Sequence, residues 1–226
     1  CIGKFLSVMA LLVAVPLTLA RAADPLEGSQ WYLDQVQIKS AWQITKGSPD
    51  IVVAVLDTGV DLDHPDLQDN IWRNTAEIAG DGLDNDLNGY VDDVYGWNFI
   101  NQTGVAEPDL SGEYQVDAVQ HGTFIAGLIS SIHDNNLAIK GVTANVKIMP
   151  LAVLDAKGAG SSVNVIRAMR YAMDNGADVI NLSFSGNDRS DEFKQVILEA
   201  FERDVAVVAA AGNHSPSGYD LSVVKQ

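Results

Sequence analysis

The chain has 226 residues, with 14 basic against 30 acidic side chains and a formal net charge of −16 at pH 7. Such an excess of negative charge disfavours nucleic acid and anionic membrane surfaces, so neither is an expected partner. The length suffices for one domain with a hydrophobic core, and the single cysteine, Cys1, leaves no disulfide to reinforce it.

The first residues have the pattern of an export signal. An apolar run interrupted by Pro16 follows Lys4, and Ala20-Arg21-Ala22 supplies the small residues of a cleavage site. We therefore expect residues 1–22 to be removed and residues 23–226 to be secreted or periplasmic. A membrane anchor is the alternative, which the short run and its proline disfavour.

From residue 51 onward, short apolar runs alternate with helical patterns. This alternation predicts an α/β fold with a parallel central sheet and helices that cover both of its faces. The predicted strands are Ile51 to Leu56, Val146 to Leu154 with a break at Pro150, Asp178 to Ser183, and Val205 to Ala210. The predicted helices are 124–132, 161–175 and 191–203. Their predicted buried faces are Ile125, Leu128, Ile129 and Ile132; Val165, Ile166, Met169, Ala172 and Met173; and Phe193, Val196, Ile197, Ala200 and Phe201.

Three polar residues stand at the edges of these elements. Asp57 ends the first strand, His121 opens a helix, and Asn213 follows the last strand. Open α/β sheets place their sites at such strand ends. Each residue also has an ordinary interpretation when it is taken alone: a polar strand end, a capping histidine and an asparagine in a turn.

Taken together, the segments Val53 to Val60, His121 to Gly127 and Ala209 to Asn213 resemble the aspartate, histidine and oxyanion motifs of the subtilisin-like serine proteases. The resemblance runs from about Trp31 to Asn213. It implies an endopeptidase that hydrolyses polypeptides, with the following roles.

By this resemblance Asp57 orients His121, His121 acts as general base, and Asn213 stabilises the oxyanion. The residues implied at the substrate cleft are Gly158, Gly160, Ser183, Phe184 and Ser185. Two departures from the family pattern concern this cleft: Phe124 stands where the family often has a second histidine, and Phe184-Ser185-Gly186 stands where it often has Leu-Gly-Gly.

The nucleophile is missing from the 226 residues. In the family it lies in a Gly-Thr-Ser motif well beyond the oxyanion asparagine, but no Gly-Thr-Ser and no Gly-x-Ser-x-Gly occurs in the chain. We therefore expect the serine downstream of Gln226 and no activity from residues 23–226 alone. One alternative is a non-catalytic, calcium-stabilised protein on a protease scaffold. Another is an aspartic protease, whose signature Asp57-Thr58-Gly59 also matches, although the helical patterns disfavour it.

The acidic loop, residues 84–93, has oxygen-bearing side chains at alternate positions around a glycine. Calcium prefers six to eight oxygen ligands, which predicts a structural calcium site. The candidate ligands are Asp84, Asp86, Asn88, the Tyr90 carbonyl, Asp92 and Asp93. A solvated acidic loop is the alternative. The resemblance implies a second calcium site at Asp66 and the loop 132–139, which includes Asp134.

Overall fold

The computed structural model describes residues 23–186 and 189–212. Its centre is a parallel sheet of five strands in the order β2-β3-β1-β4-β5. The strands are β1 (Val52–Asp57), β2 (Trp97–Asn98), β3 (Lys147–Ala152), β4 (Val179–Leu182) and β5 (Ala206–Ala209). The helices are α1 (Trp31–Gln35), α2 (Ile38–Ala41), α3 (Val116–Val119), α4 (His121–Ser130), α5 (Ser162–Asp174) and α6 (Asp191–Glu202). The predicted α/β class is confirmed.

Strand β1 is covered on both faces because Val52 to Leu56 are all apolar. Ala54 and Leu56 belong to one core cluster together with Met169 of α5. Val53 and Val55 belong to a second cluster, which includes residues of α4. Burial of each large apolar side chain contributes about 1.5–3 kcal/mol relative to exposure. The two clusters hold the C-terminal end of β1 in a fixed place between the two layers of helices.

Helix α5 has the predicted bounds and the predicted face. The Ser161 hydroxyl accepts a hydrogen bond from the backbone N–H of Asn164 at 3.3 Å, which caps the start of the helix. Gly176 follows its end with a φ of +78°. All five apolar residues predicted to face the core are buried.

Two predicted helix faces were wrong in part. In α6, Val196 and Ala200 are buried, but Phe201 is 80% exposed and Ile197 is 39% exposed, because only one row of the broad apolar stripe faces the core. Helix α4 ends at Ser130, before Ile132. The predicted Ile125 and Ile129 are partly buried and pack against the second core cluster, whereas Leu128 is 38% exposed, and the fully buried residues of the helix are small. These residues are Gly122, Ala126, Gly127 and Ser130.

The predicted break at Pro150 does not occur. Strand β3 continues through Pro150, which pairs with Val55 of β1. On the outer side, β2 pairs only with Leu151 and Ala152, so no ladder donor is required at Pro150. Strand β2 itself lies in the long stretch between β1 and α3, where the sequence analysis predicted no strand.

Strand β5 forms one edge of the described sheet. It pairs with β4, and Val208 is 54% exposed. In the described ranges no helix is long and apolar enough to cross a membrane. The predicted export signal, residues 1–22, and the predicted oxyanion residue Asn213 lie outside those ranges.

Candidate active site

The side chains of Asp57 and His121 lie in direct contact. Asp57 is the last residue of β1 and is fully buried, whereas 40% of the His121 side chain is exposed at the start of α4. The Nδ1 atom of His121 lies 2.9 Å from both carboxylate oxygens of Asp57. Because a carboxylate accepts hydrogen bonds, the imidazole proton is held on Nδ1 and Nε2 is left as an acceptor. This arrangement can orient a general base.

Thr58 joins the end of β1 to the start of α4. Its backbone N–H donates to Asp57 Oδ1 at 2.8 Å, and its hydroxyl lies 3.1 Å from the Ala118 carbonyl and 3.2 Å from the Val119 carbonyl. The same hydroxyl accepts a hydrogen bond from the backbone N–H of Gly122 at 3.3 Å. These bonds fix the backbone on both sides of the Asp57 and His121 pair.

Two glycines permit this close approach. A Cβ atom on Gly122 would lie 2.2 Å from the Gly59 carbonyl oxygen and 3.0 Å from the Asp57 Cβ. Gly59 has a φ of +100°, and a Cβ there would lie 2.6 Å from the carbonyl carbon of Glu107. A side chain at either position would push α4 or the 106–107 segment away. The Asp-Thr-Gly and His-Gly-Thr motifs therefore require glycine at these positions for steric reasons.

The predicted cleft residues lie at the same edge of the sheet, because parallel strands all end there. After β3 the chain makes a turn over 154–160, in which Gly158 has a φ of +79°. A Cβ on Gly160 would lie 2.3 Å from the Val153 carbonyl oxygen. A Cβ on Gly158 would lie 3.4 Å from the Ala118 Cβ, so this turn lies beside the segment that leads into His121.

The second side of the predicted cleft follows β4. Ser183 and Phe184 are partly exposed, Phe184 packs against the core, and Ser185 is exposed. A Cβ on Gly212 would lie 3.8 Å from the Ser185 Cβ, which brings the chain after β5 beside this segment. The next residue, Asn213, lies outside the described residues.

Comparison with known proteins identifies the family. Residues 48–226 match the family model of the subtilases, peptidase S8. The chain belongs to the subtilase family. The elements that carry Asp57 and His121 lie within the matched residues, as do both sides of the cleft.

Relatives of this subtilase chain occur in distant organisms. It is 38% identical over 193 residues to halolysin of Haloferax mediterranei, covering 85% of this chain and 32% of the relative. It is 33% identical over 211 residues to subtilisin-like protease 1 of Plasmodium berghei, covering 88% of this chain and 34% of the relative. It is 30% identical over 191 residues to thermitase of Thermoactinomyces vulgaris, covering 84% of this chain and 57% of the relative.

A solved structure gives the same assignment. The crystal structure of a lanthipeptide protease superposes with a TM-score of 0.55 and 32% sequence identity, covering 81% of this chain and 45% of that one. The chain spans about a third of the length of the Plasmodium and Haloferax relatives. Subtilase membership and the parallel sheet together contradict the aspartic protease alternative, which requires an all-β fold.

Three carboxylates converge at the acidic loop. Glu77, Asp84 and Asp86 each offer an oxygen within 4.8 Å of the others. Glu77 is 4% exposed and accepts hydrogen bonds from the backbone N–H groups of Asn85 at 2.7 Å and Asp92 at 3.1 Å. Glu77 therefore holds both ends of the acidic loop in place. Carboxylate oxygens brought this close to one another fit a hard cation.

The other predicted loop ligands are engaged elsewhere. Asp92 accepts hydrogen bonds from the backbone N–H groups of Gly80 and Gly82, which directs its carboxylate to that turn. Asp93 is fully buried and accepts from Asn74, Asn88 and Tyr171. The Asn88 amide also donates to Asp86, and the Tyr90 ring packs against Trp97, Phe99 and Tyr171.

At the second predicted calcium site, Asp66 is fully buried. Its Oδ1 accepts a hydrogen bond from the Asn135 side chain at 2.8 Å, while Oδ2 is buried and has no hydrogen-bond partner among the described residues. Burial raises the pKa of Asp66 above its ordinary value. An unpaired buried carboxylate oxygen fits a cation ligand.

Asp134 does not join Asp66. Its carboxylate lies 2.7 Å from the Lys140 ammonium, and this hydrogen bond lowers the pKa of Asp134. Instead Asp24, which is 3% exposed, accepts hydrogen bonds from the backbone N–H groups of Asp134 at 2.8 Å and Asn135 at 3.0 Å.

Glu77 and Asp24 were not predicted from the sequence. Glu77 contacts residues that are 8 and 15 positions away in the chain, and Asp24 contacts residues that are 110 and 111 positions away. No local spacing therefore indicates either residue. The only local sign of either residue is an acidic side chain outside any recognised motif. Such residues are too common in this chain to indicate a cation site.

Proposed function

We propose that the full-length protein is a secreted serine endopeptidase whose base and orienting acid are His121 and Asp57. The observation that carries this proposal is the 2.9 Å contact between His121 Nδ1 and both oxygens of the buried Asp57. Polypeptides are the proposed substrates, since the related proteins named above are proteases.

In the proposed reaction, His121 Nε2 takes the proton of a serine hydroxyl as the serine attacks the scissile carbonyl. Asp57 keeps the other imidazole proton on Nδ1 and stabilises the imidazolium that forms. The amide of Asn213 donates a hydrogen bond to the developing oxyanion. His121 then returns its proton to the leaving amine.

Substrate backbone is proposed to lie between the two sides of the cleft. Gly158 and Gly160 would form one side and Ser183, Phe184 and Ser185 the other. The glycines have no side chain and the serines a small one, so an extended peptide backbone could approach them. The attacking serine is proposed to lie downstream of Gln226, and residues 23–226 to form part of the peptidase domain. Residues 1–22 are proposed to direct export, which N-terminal sequencing of the secreted product would test.

The decisive experiment uses the full-length gene product and a serine-directed phosphonate. Wild type is expected to hydrolyse casein and to lose this activity on phosphonate labelling. Asp57→Asn should lower kcat by about 10⁴, because the imidazole then adopts the wrong tautomer. The matched control is Asp63→Asn, which changes an exposed aspartate in the same segment. A folded protein that neither hydrolyses casein nor reacts with phosphonate would instead be a non-catalytic protein on this scaffold.

Calcium is proposed as a structural cofactor. Glu77, Asp84 and Asp86 would hold one ion at the acidic loop, and Asp66 with Asp24 or Asn135 would contribute to a second. When bound, the ion neutralises carboxylates that otherwise repel one another, and it stabilises the folded chain by mass action. The remaining predicted ligands would act by holding the loop in shape.

A further inference from the structure

A groove of about 450 Å³ opens on the surface of the domain along the start of α4, where Gln120, Thr123 and Phe124 line it. Its apolar lining comes from Pro108, Leu110 and Phe124, and the last two are 60% and 62% exposed. Phe124 is about one helical turn after His121 on α4, so the lining of this groove reaches within one turn of the residue that carries the imidazole.

Two carboxylates, those of Asp61 and Glu107, also line the groove. No lysine or arginine accompanies them in that lining, as far as the described residues extend. Glu107 also lines a smaller cavity of about 30 Å³ on the other side, together with Asp109 and Asp155. The one basic side chain in the lining of the groove, as far as the described residues extend, is that of His64. Two carboxylates therefore face at most one positive charge, and the field in the groove favours a cation.

Glu107 is held in place by its backbone. The preceding carbonyl, of Ala106, accepts a hydrogen bond from the backbone N–H of Val60 at 2.9 Å, and Gly59 packs against the Glu107 carbonyl group. The Glu107 side chain makes no hydrogen bond or ion pair within residues 23–186 and 189–212. A carboxylate fixed beside a catalytic dyad and lacking a partner is available to a ligand.

We propose that this groove is a specificity subsite for a lysine or arginine side chain of the substrate, located within two residues of the scissile bond, and that Glu107 recognises its charge. The aliphatic stem of such a side chain would lie on Leu110 and Phe124, while its cationic group would reach Glu107 and Asp61. Both halves of the lining are then used, which a purely apolar or an acidic side chain would not achieve. This inference rests on the proposed peptidase function.

The test compares peptides that carry lysine or norleucine at each of the two positions on either side of the cleaved bond. Norleucine keeps the stem and removes the charge. In the full-length protein, kcat/KM is expected to be about tenfold higher for lysine at one of these positions, as for a hydrogen bond to a charged group. Glu107→Gln should remove most of this preference. Glu113→Gln, at an exposed acid that pairs with Lys157 outside the groove, should retain it.

A binding measurement separates this inference from the proposed function. Fluorescent lysine and norleucine peptides are titrated against full-length His121→Ala, with and without Glu107→Gln. A lysine preference in binding that Glu107→Gln abolishes would sustain the subsite even if the wild type showed no turnover. Hydrolysis without a lysine preference at any of the four positions, or a preference that survives Glu107→Gln, would overturn the subsite and leave the peptidase proposal intact. If neither turnover nor a binding preference appears, both are wrong.

Discussion

The buried hydroxyl of Tyr171 donates a hydrogen bond of 2.5 Å to the Asp93 carboxylate, and so joins helix α5 of the core to the acidic loop. Burial, reinforced by the bond to Asp93, raises the pKa of Tyr171 far above its ordinary value. The hydroxyl therefore stays protonated and remains a donor at every pH at which the protein is folded. The loop is thus attached to the same helix that covers the sheet.

The first prediction is that Tyr171→Phe lowers the free energy of unfolding by about 1–3 kcal/mol, because a buried carboxylate loses one of its donors. Urea unfolding followed by circular dichroism measures the change. Tyr114→Phe, at a tyrosine that is 47% exposed, is the matched control and should alter stability by less than about 0.5 kcal/mol. Equal effects of the two substitutions would show that the Asp93 bond contributes nothing.

The second prediction concerns calcium at the acidic loop. Calcium at about 100 times its Kd should stabilise the fold by about 2.7 kcal/mol, so chelation with EGTA should lower Tm by about 5–10 °C. Glu77→Gln should reduce this shift, because Glu77 offers an oxygen to the carboxylate group and its substitution removes the charge. The control Glu113→Gln should keep the full shift, and kcat at 25 °C should not depend on calcium while the protein remains folded. An unchanged Tm in EGTA would eliminate both calcium sites.

The third prediction is that the effect of Asp66→Asn on stability changes sign when calcium is removed. Its folded-state pKa is raised by burial above the ordinary 3.8, so ionisation of this carboxyl costs folding free energy as the pH rises through the folded pKa. In EGTA at pH 7, Asp66→Asn should therefore be more stable than wild type, and the difference should vanish towards pH 3. In saturating calcium the order should reverse, because the variant loses a ligand. Unfolding curves at several pH values measure both effects, and a variant that is less stable in EGTA at pH 7 would contradict the sign.

The strands and the contact between Asp57 and His121 could be predicted from sequence, because each is indicated by short runs of residues that are close together in the chain. A run such as Val52 to Leu56 requires burial on both faces, and Gly59 and Gly122 are required by contacts within their own motifs. The buried face of α4 could not be predicted in this way. Its small residues face β1 because the helix must approach closely enough for His121 to reach Asp57, which is a tertiary constraint.

The candidate calcium ligands were harder to predict than the strands, because they too depend on tertiary contacts. The sequence pattern over residues 84–93 indicates oxygens at suitable spacing, but the carboxylates that converge include Glu77, whereas Asp92 turns to the backbone of Gly80 and Gly82. Which oxygen faces inward depends on backbone N–H groups that compete for the same carboxylates. Spacing alone carries no information about that competition.

The fourth prediction tests the proposed oxyanion donor. In the full-length protein, Asn213→Ala should lower kcat by about 10² to 10³ with little change in KM, as in subtilisin, from which this magnitude is taken. The amide is required only when negative charge develops in the transition state, so substrate binding should be preserved. Steady-state kinetics on one peptide suffices for the measurement. A kcat within about threefold of wild type, below the expected range, would mean that another group stabilises the oxyanion.

The last prediction is that a polypeptide of residues 23–226 does not hydrolyse peptide bonds detectably, although it contains Asp57, His121 and Asn213. A base without its nucleophile forms no acyl-enzyme, and in subtilisin removal of the serine alone lowers kcat by about 10⁶. Its solubility is also at risk, because β5 pairs with β4 alone in the described sheet and exposes Val208. Casein hydrolysis by this polypeptide is compared with that of the full-length gene product, each with and without a serine-directed phosphonate. Phosphonate-sensitive turnover by residues 23–226 would refute the prediction and require a nucleophile among the serines already present.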